Sequence, residues 1–212
     1  MLDEAAQHAE RNLRLNRSSR ILIDATRFAS GSGGESASSS LRDLVDTMCQ
    51  SAEAVTPIEL VRLDGGTLYR ASAAASAMFA IDANALPAEQ IDIQPGDVLF
   101  MPDADWEEHQ PFLPVFEAVR QFGGRIVAVA PPLAEPARTS AQAGVLHTDR
   151  PHDGFAAAVR HSDLLLCRSQ AEGTAIHQRI AAYNLEHAAG LRVLPWQGSA
   201  ASALALLRTS FD

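Results

Sequence analysis

Short apolar runs without polar alternation constrain the fold of this chain more than any other feature. They lie within 20–28, 96–103, 123–132 and 161–172, and each is followed by a segment with helical patterning. Such runs are typical of strands that are buried on both faces, as in a parallel sheet covered by helices. Strands that alternate with helices predict a doubly wound α/β domain. Because such domains bind ligands beyond the carboxyl ends of their strands, a site is expected at that edge.

The 212 residues are enough for one substantial hydrophobic core. We predict the α/β fold class, with a Rossmann-like three-layer α/β/α domain and a mostly parallel sheet of five to seven strands. This domain spans 19–198, after a polar N-terminal extension or linker at 1–18 and before a C-terminal helix or interdomain linker at 199–212. Gly65 and Gly66 predict a tight turn that joins two strands as a hairpin.

Charge and composition exclude several classes of protein. The net charge of −9 argues against a nucleic-acid partner, since nucleic-acid binders present a basic surface. All 17 Lys and Arg residues are Arg, and the absence of Lys excludes a Walker A loop and a pyridoxal-phosphate Schiff base. No stretch approaches the roughly 18 apolar residues of a membrane span, and the N-terminus lacks the apolar segment of a signal peptide. We therefore expect a cytoplasmic protein without a membrane span.

Metal binding is not expected, because no Cys/His cluster has the spacing of a zinc site. Cys49 and Cys167 are far apart in the sequence and are expected to be buried, inert thiols.

A polar, acidic segment directly follows the predicted strand at 97–101. Its carboxylates and imidazole suit hydrogen bonding to sugar hydroxyls, and its tryptophan suits stacking on a sugar ring. The candidate acceptor-binding residues are Asp103, Asp105, Trp106, Glu107 and His109. The alternative is a helix N-terminus, where acidic side chains complement the helix dipole.

Two further groups of residues follow predicted strands. Gly31, Gly33 and Gly34 come after the first strand, where backbone amides of a glycine-rich loop can approach a phosphate; the alternative is a plain flexible loop. Ser169 and Glu172 follow the strand at 163–167 and are candidates for the strand-end crevice. Their spacing also predicts a capping box at the start of a helix.

Six segments in this order resemble the N-terminal half of bacterial two-Rossmann-domain (GT-B) glycosyltransferases of family 4, group 1. The segments are ILIDATRF, IELVRLDGGTLYRA, PGDVLFMPDADW, VRQFGGRIVAVAPPL, AVRHSDLLLCRSQAEGTAI and LRVLPWQGSA. The resemblance covers roughly residues 20–200 and depends on order and spacing. It implies the acceptor-binding domain of a retaining enzyme that transfers a sugar from a nucleotide-sugar to a glycan in surface polysaccharide synthesis.

The division of labour in that family implies that a C-terminal domain, in cis or in trans, binds the nucleotide-sugar donor. This chain would then hold the glycan acceptor, bind no cofactor and be inactive alone. The competing class is a non-catalytic, glycosyltransferase-like module that binds a glycan or a protein partner. The segment APPLAEP favours it, since the family typically shows Asp-Leu-x-Pro and then His-Pro there. A receiver-type regulator has little support because it would need a Lys.

Overall fold

One mixed sheet organises the protein. The computed structural model describes residues 20–29, 43, 57–71, 89–131, 133, 153–187, 190–196 and 200–209. The strands in these residues are β1 (Ile21–Asp24), β2 (Ile58–Asp64), β3 (Thr67–Arg70), β4 (Val98–Met101), β5 (Arg125–Val129), β6 (Leu164–Cys167) and β7 (Arg192–Pro195). Their order in the sheet is β3-β2-β1-β4-β5-β6-β7, and every neighbouring pair except β2 and β3 is parallel. The predicted α/β fold with a mostly parallel sheet is confirmed.

Helices cover both faces of this sheet. The described helices are α1 (Thr26–Ala29), α2 (Leu113–Gln121), α3 (Asp153–His161), α4 (Gln170–Ala182) and α5 (Ala200–Thr209), and short 3₁₀ turns span Trp106–Glu108 and Gln110–Phe112. Helices α2, α3 and α4 connect successive parallel strands from β4 to β7, and their buried residues share one core cluster. Helix α5 contributes to a second cluster on the opposite face. The predicted extension at 1–18 lies outside the described residues.

The two cores follow from the alternation of side chains along each strand. Leu99 belongs to the core beneath α2, α3 and α4, whereas its neighbour Phe100 belongs to the core beneath α5, and both are fully buried. Burying a side chain of this size contributes roughly 1.5–3 kcal/mol. Ala203 and Leu207 of α5 are also fully buried. Residues 200–209 are therefore a helix that packs on the sheet, the first of the two alternatives for this segment.

The predicted hairpin joins β2 to β3. Gly65 and Gly66 have φ angles of 56° and 80°, a left-handed conformation that glycine adopts without a steric cost. The two strands pair antiparallel, with Leu63 opposite Leu68.

An ionic cluster around the buried Asp97 holds the amino ends of three strands together. Arg20, just before β1, donates from Nε and Nη2 to the two carboxylate oxygens of Asp97 at 3.2 and 2.7 Å. Its Nη1 donates to Glu59 of β2 at 3.1 Å. Because Asp97 is only 1% exposed, removing Arg20 would leave a buried charge without this partner, which typically costs about 3–5 kcal/mol.

The strand order changes direction at β1. From β1 the chain goes to β2 on one side, and the later strands β4 to β7 lie in sequence on the other side. In open α/β sheets the ligand crevice lies at this point, outside the carboxyl ends of the two strands that diverge. The ends of β1 and β4 therefore define where a site is expected.

Candidate functional site

A buried carboxyl group ends strand β1. Asp24 is 5% exposed, and its Oδ1 accepts hydrogen bonds from the Thr26 backbone N–H, at 3.0 Å, and from the Thr26 hydroxyl. The same hydroxyl oxygen accepts from the backbone N–H of Leu63 in β2, at 2.9 Å. Thr26 begins α1, so it connects the end of β1, the start of α1 and the end of β2.

An ion pair crosses from the turn after β1 to the loop after β4. Arg27 Nη1 lies 3.2 Å from Asp103 Oδ1, and the two side chains are 36% and 31% exposed. Such a half-exposed pair contributes little to stability, about 0–1 kcal/mol. Its importance is its position, because it joins the two strand ends that border the expected crevice. Of the predicted acceptor-binding residues, Asp103 is the one that lies at this point.

The environment of Asp24 perturbs its ionisation. Burial raises the pKa of its carboxyl group to about 6; the Thr26 hydrogen bonds oppose this rise, and the nearby charge of Asp103 adds to it. A carboxyl group that exchanges its proton close to neutral pH, beside a second carboxylate and at a strand end, is a frequent feature of functional sites. Keeping this charge in the interior costs stability, which indicates a use other than packing.

Asp105 and Trp106 belong to the 3₁₀ turn that follows. Asp105 caps this turn, since its side chain accepts a hydrogen bond from the Glu107 backbone N–H at 3.2 Å. Trp106 is 3% exposed and its ring stacks on Phe116 of α2 with the centroids 5.9 Å apart. A ring so covered has almost no surface for a sugar, so the stacking role predicted for Trp106 does not fit this geometry. The exposed Glu107 has its backbone and Cγ packed closely on Gly154.

His109 contacts the 3₁₀ turn and helix α3. Its Nδ1–H donates to the carbonyl oxygen of Trp106 at 2.8 Å, and its ring lies 5.4 Å from the ring of His161 in α3. Burial lowers the pKa of His161 to about 4, and the positive charges of His109, Arg120 and Arg160 act in the same direction. These contacts place His109 in the packing of α3 against α2 and the 3₁₀ turn.

Ser169 caps α4 as predicted, whereas Glu172 bonds the residue before the cap and does not complete the predicted capping box. Ser169 Oγ accepts from the Glu172 backbone N–H at 3.2 Å, and Glu172 Oε2 accepts from the Arg168 backbone N–H at 2.6 Å. They follow β6, which lies two strands from β4, or roughly 10 Å along the sheet. Burial raises the pKa of the Cys167 thiol just before them, with the Glu172 carboxylate acting in the same direction, so this thiol stays protonated at neutral pH.

The structure brings together Asp24, Thr26, Arg27 and Asp103, of which only Asp103 is singled out by the sequence patterns. In the sequence, Asp24 can be noticed as an acidic residue that ends an apolar strand. Its proximity to Asp103, after the adjacent strand β4, is apparent only from the fold. Gly31, Gly33 and Gly34 lie outside the described residues. No group of three or more His, Cys, Asp or Glu residues in the described part of the chain is arranged to hold a metal ion.

Comparisons with family models, with curated proteins and with solved structures find no match to this chain. Within the described ranges, no helix has the length and apolar character needed to cross a membrane. The side chains at the ends of β1 and β4 are the described groups that best fit a ligand site.

Proposed function

We propose that this chain binds a glycan acceptor at the carboxyl ends of β1 and β4, as the acceptor-side domain of a retaining two-Rossmann-domain glycosyltransferase. The observation that supports it most is the Arg27–Asp103 ion pair, whose side chains are 36% and 31% exposed, beside the carboxyl group of Asp24 at the change of direction in the strand order. Carboxylates accept hydrogen bonds from sugar hydroxyls, and a guanidinium group donates to hydroxyl and ring oxygens.

The charge of these side chains favours a neutral ligand over an anionic one. When both carboxyl groups are ionised, Asp24, Arg27 and Asp103 together carry one negative charge. A phosphate or carboxylate ligand would meet repulsion there, whereas hydroxyl groups would donate to oxygens that are already oriented. This preference supports an acceptor site, with the phosphates of a nucleotide-sugar donor bound by another domain, in cis or in trans, under this proposal.

A non-catalytic module that binds a glycan or a protein partner is the second candidate. The observation that favours it is the segment APPLAEP after β5, which contains neither the Asp nor the His that the resembling family typically has there. Both candidates place a ligand at the same strand ends, and they differ in whether sugar transfer takes place.

Glycan binding is tested by saturation-transfer NMR with a panel of neutral methyl glycosides and short oligosaccharides at pH 7.5. We expect at least one neutral glycan to give a transfer signal and inorganic phosphate not to compete with it. Asp24→Asn and Asp103→Asn should weaken that binding about tenfold or more, the scale of a hydrogen bond to a charged group. Glu186→Gln is the matched control, because this carboxylate is 85% exposed and pairs with Arg160 in the last turn of α3, away from Asp24 in the sequence.

Absence of binding across the panel, or equal binding by Asp24→Asn and Glu186→Gln, would contradict the acceptor site. Catalysis needs a separate test on the native protein in its own cell. The mass of this protein is measured first. A product with room for a second domain of roughly 150–200 residues is assayed for sugar transfer from nucleotide-sugars to the bound glycan. Transfer supports the glycosyltransferase, and glycan binding without transfer supports the module.

A further inference from the structure

The Thr26 side chain continues the β1–β2 hydrogen-bond ladder beyond the end of β1. The last backbone bond of this ladder toward β2 is donated by Ala25 N–H to the Val61 carbonyl oxygen, at 2.8 Å. The chain then turns into α1, and the next N–H of β2 in this direction, that of Leu63, donates to Thr26 Oγ1 at 2.9 Å. A side-chain oxygen thus takes the place of a strand carbonyl.

This contact orients the hydroxyl of Thr26. A threonine hydroxyl has one proton to donate and lone pairs that accept. Because the Leu63 N–H can only donate, it occupies a lone pair of Oγ1, and the hydroxyl proton is directed to Asp24 Oδ1. The Thr26 N–H also can only donate, and it ends on the same oxygen at 3.0 Å. Two donors therefore converge on one oxygen of a carboxyl group that is 5% exposed.

We propose that Thr26 is a positioning residue whose hydroxyl, oriented by the Leu63 N–H, keeps the Asp24 carboxylate ionised and fixed so that it accepts a hydrogen bond from a ligand. Hydrogen bonds to the charged form of an acid favour that form, and here they oppose the effect of burial. This inference rests on the proposed ligand site. It adds that the ligand group facing Asp24 is a donor, either a hydroxyl or an ammonium group.

Among the described residues, the charged group that acts on the pKa of Asp24 does not favour its ionised form, and Thr26 does. Asp103, from the loop after β4, raises the pKa of Asp24 by repulsion, in the same direction as burial. Arg27, from α1, is paired with Asp103 at 3.2 Å. The opposing contributions to the pKa of Asp24 both come from Thr26, one from its hydroxyl and one from its backbone N–H. The hydroxyl can be removed by a substitution that keeps the backbone N–H.

The test is a pH titration of the Asp24 carboxyl carbon by NMR, assigned by its disappearance in Asp24→Asn. Thr26→Val removes the hydroxyl and keeps the shape of the side chain, and Thr26→Ser keeps the hydroxyl. We expect Thr26→Val to raise the pKa of Asp24 by about one pH unit or more, and Thr26→Ser to leave it close to its wild-type value. An unchanged pKa in Thr26→Val would overturn the inference.

A second measurement uses the wild-type protein and does not depend on whether a variant folds. The amide protons of Thr26 and Leu63 should both shift with the same midpoint as the Asp24 carboxyl carbon. If the chemical shift of the Leu63 amide proton does not change with this midpoint, the Thr26 hydroxyl does not connect the two groups. That result too would overturn the inference.

Ligand binding separates this inference from the proposed function. If a neutral glycan binds, its affinity for Thr26→Val should fall by about twofold at pH 7, the loss of ionised Asp24 that a pKa one unit higher gives, and recover at higher pH. A purely structural role of Thr26 would lower affinity equally at every pH, and that result would contradict positioning. If no glycan of the panel binds, the proposed function fails, while the titration of Asp24 still decides the role of Thr26.

Discussion

Arg27 Nη1 lies 3.2 Å from Asp103 Oδ1 and thereby joins the turn after β1 to the loop after β4. These two strands are neighbours in the sheet although β2 and β3 separate them in the chain. Of the two carboxylates at these strand ends, Asp103 is paired with Arg27, whereas Asp24 accepts hydrogen bonds from Thr26.

Asp103→Asn should lower the pKa of Asp24 below its value of about 6. The substitution removes the negative charge that repels the ionised form of Asp24. This favours the carboxylate. The titration of the Asp24 carboxyl carbon by NMR measures the change, with Glu186→Gln as the control. A pKa that rises or stays constant would show that Asp103 does not act on Asp24.

Asp24→Asn should stabilise the protein at neutral pH. The folded-state pKa of about 6 lies above the usual value of 3.8, so Asp24 binds its proton more tightly in the folded state. Its contribution is therefore most favourable below about pH 4 and is lost as the pH rises through 6. The neutral amide escapes this loss and still accepts from Thr26, which predicts a gain of up to about 3 kcal/mol at pH 7.

The measurement is urea unfolding of the wild type and of Asp24→Asn at pH 4 and pH 7. The difference in the free energy of unfolding should be small at pH 4 and largest at pH 7. A difference that does not change with pH would indicate that Asp24 has no perturbed ionisation. A gain in stability together with a loss of glycan binding would be the pattern expected of a residue kept for function.

His161→Phe should reduce the loss of stability on acidification. The folded-state pKa of His161, about 4, lies below the usual 6.5, so the neutral ring is favoured by folding. This contribution is complete above pH 6.5 and is lost as the pH falls through 4. A phenyl ring keeps the stacking on Phe116 and has no proton to gain. Thermal unfolding between pH 4 and 7 tests this, and a variant with the same pH slope as the wild type would contradict it.

Trp106→Ala should destabilise the fold by about 3–5 kcal/mol, the typical cost of removing a buried aromatic ring. The ring is 3% exposed and stacks on Phe116, so the substitution leaves a cavity between the 3₁₀ turn and α2. Phe122→Ala is the control, because this ring is 45% exposed and should cost little. Equal unfolding free energies for the two variants would show that Trp106 is not part of the core.

Local patterns are enough to predict most of the framework. The apolar runs predict the strands, and the spacing of Ser169 and Glu172 predicts the cap of α4, because both depend on residues close in sequence. The partnership of Asp24 with Asp103 depends on β4 being placed next to β1, which no local pattern encodes. The burial of Trp106 likewise depends on Phe116 and on where α2 packs, and the residues next to Trp106 in the sequence do not encode that position.

The ionic cluster of Arg20, Asp97 and Glu59 limits where this protein can vary. It fixes the amino ends of β1, β2 and β4 relative to one another along the strand direction. A substitution at Asp103, in the loop after β4, leaves these contacts at the amino ends unchanged. The loops at the carboxyl ends can therefore vary in side-chain chemistry while the amino ends keep the strands in register.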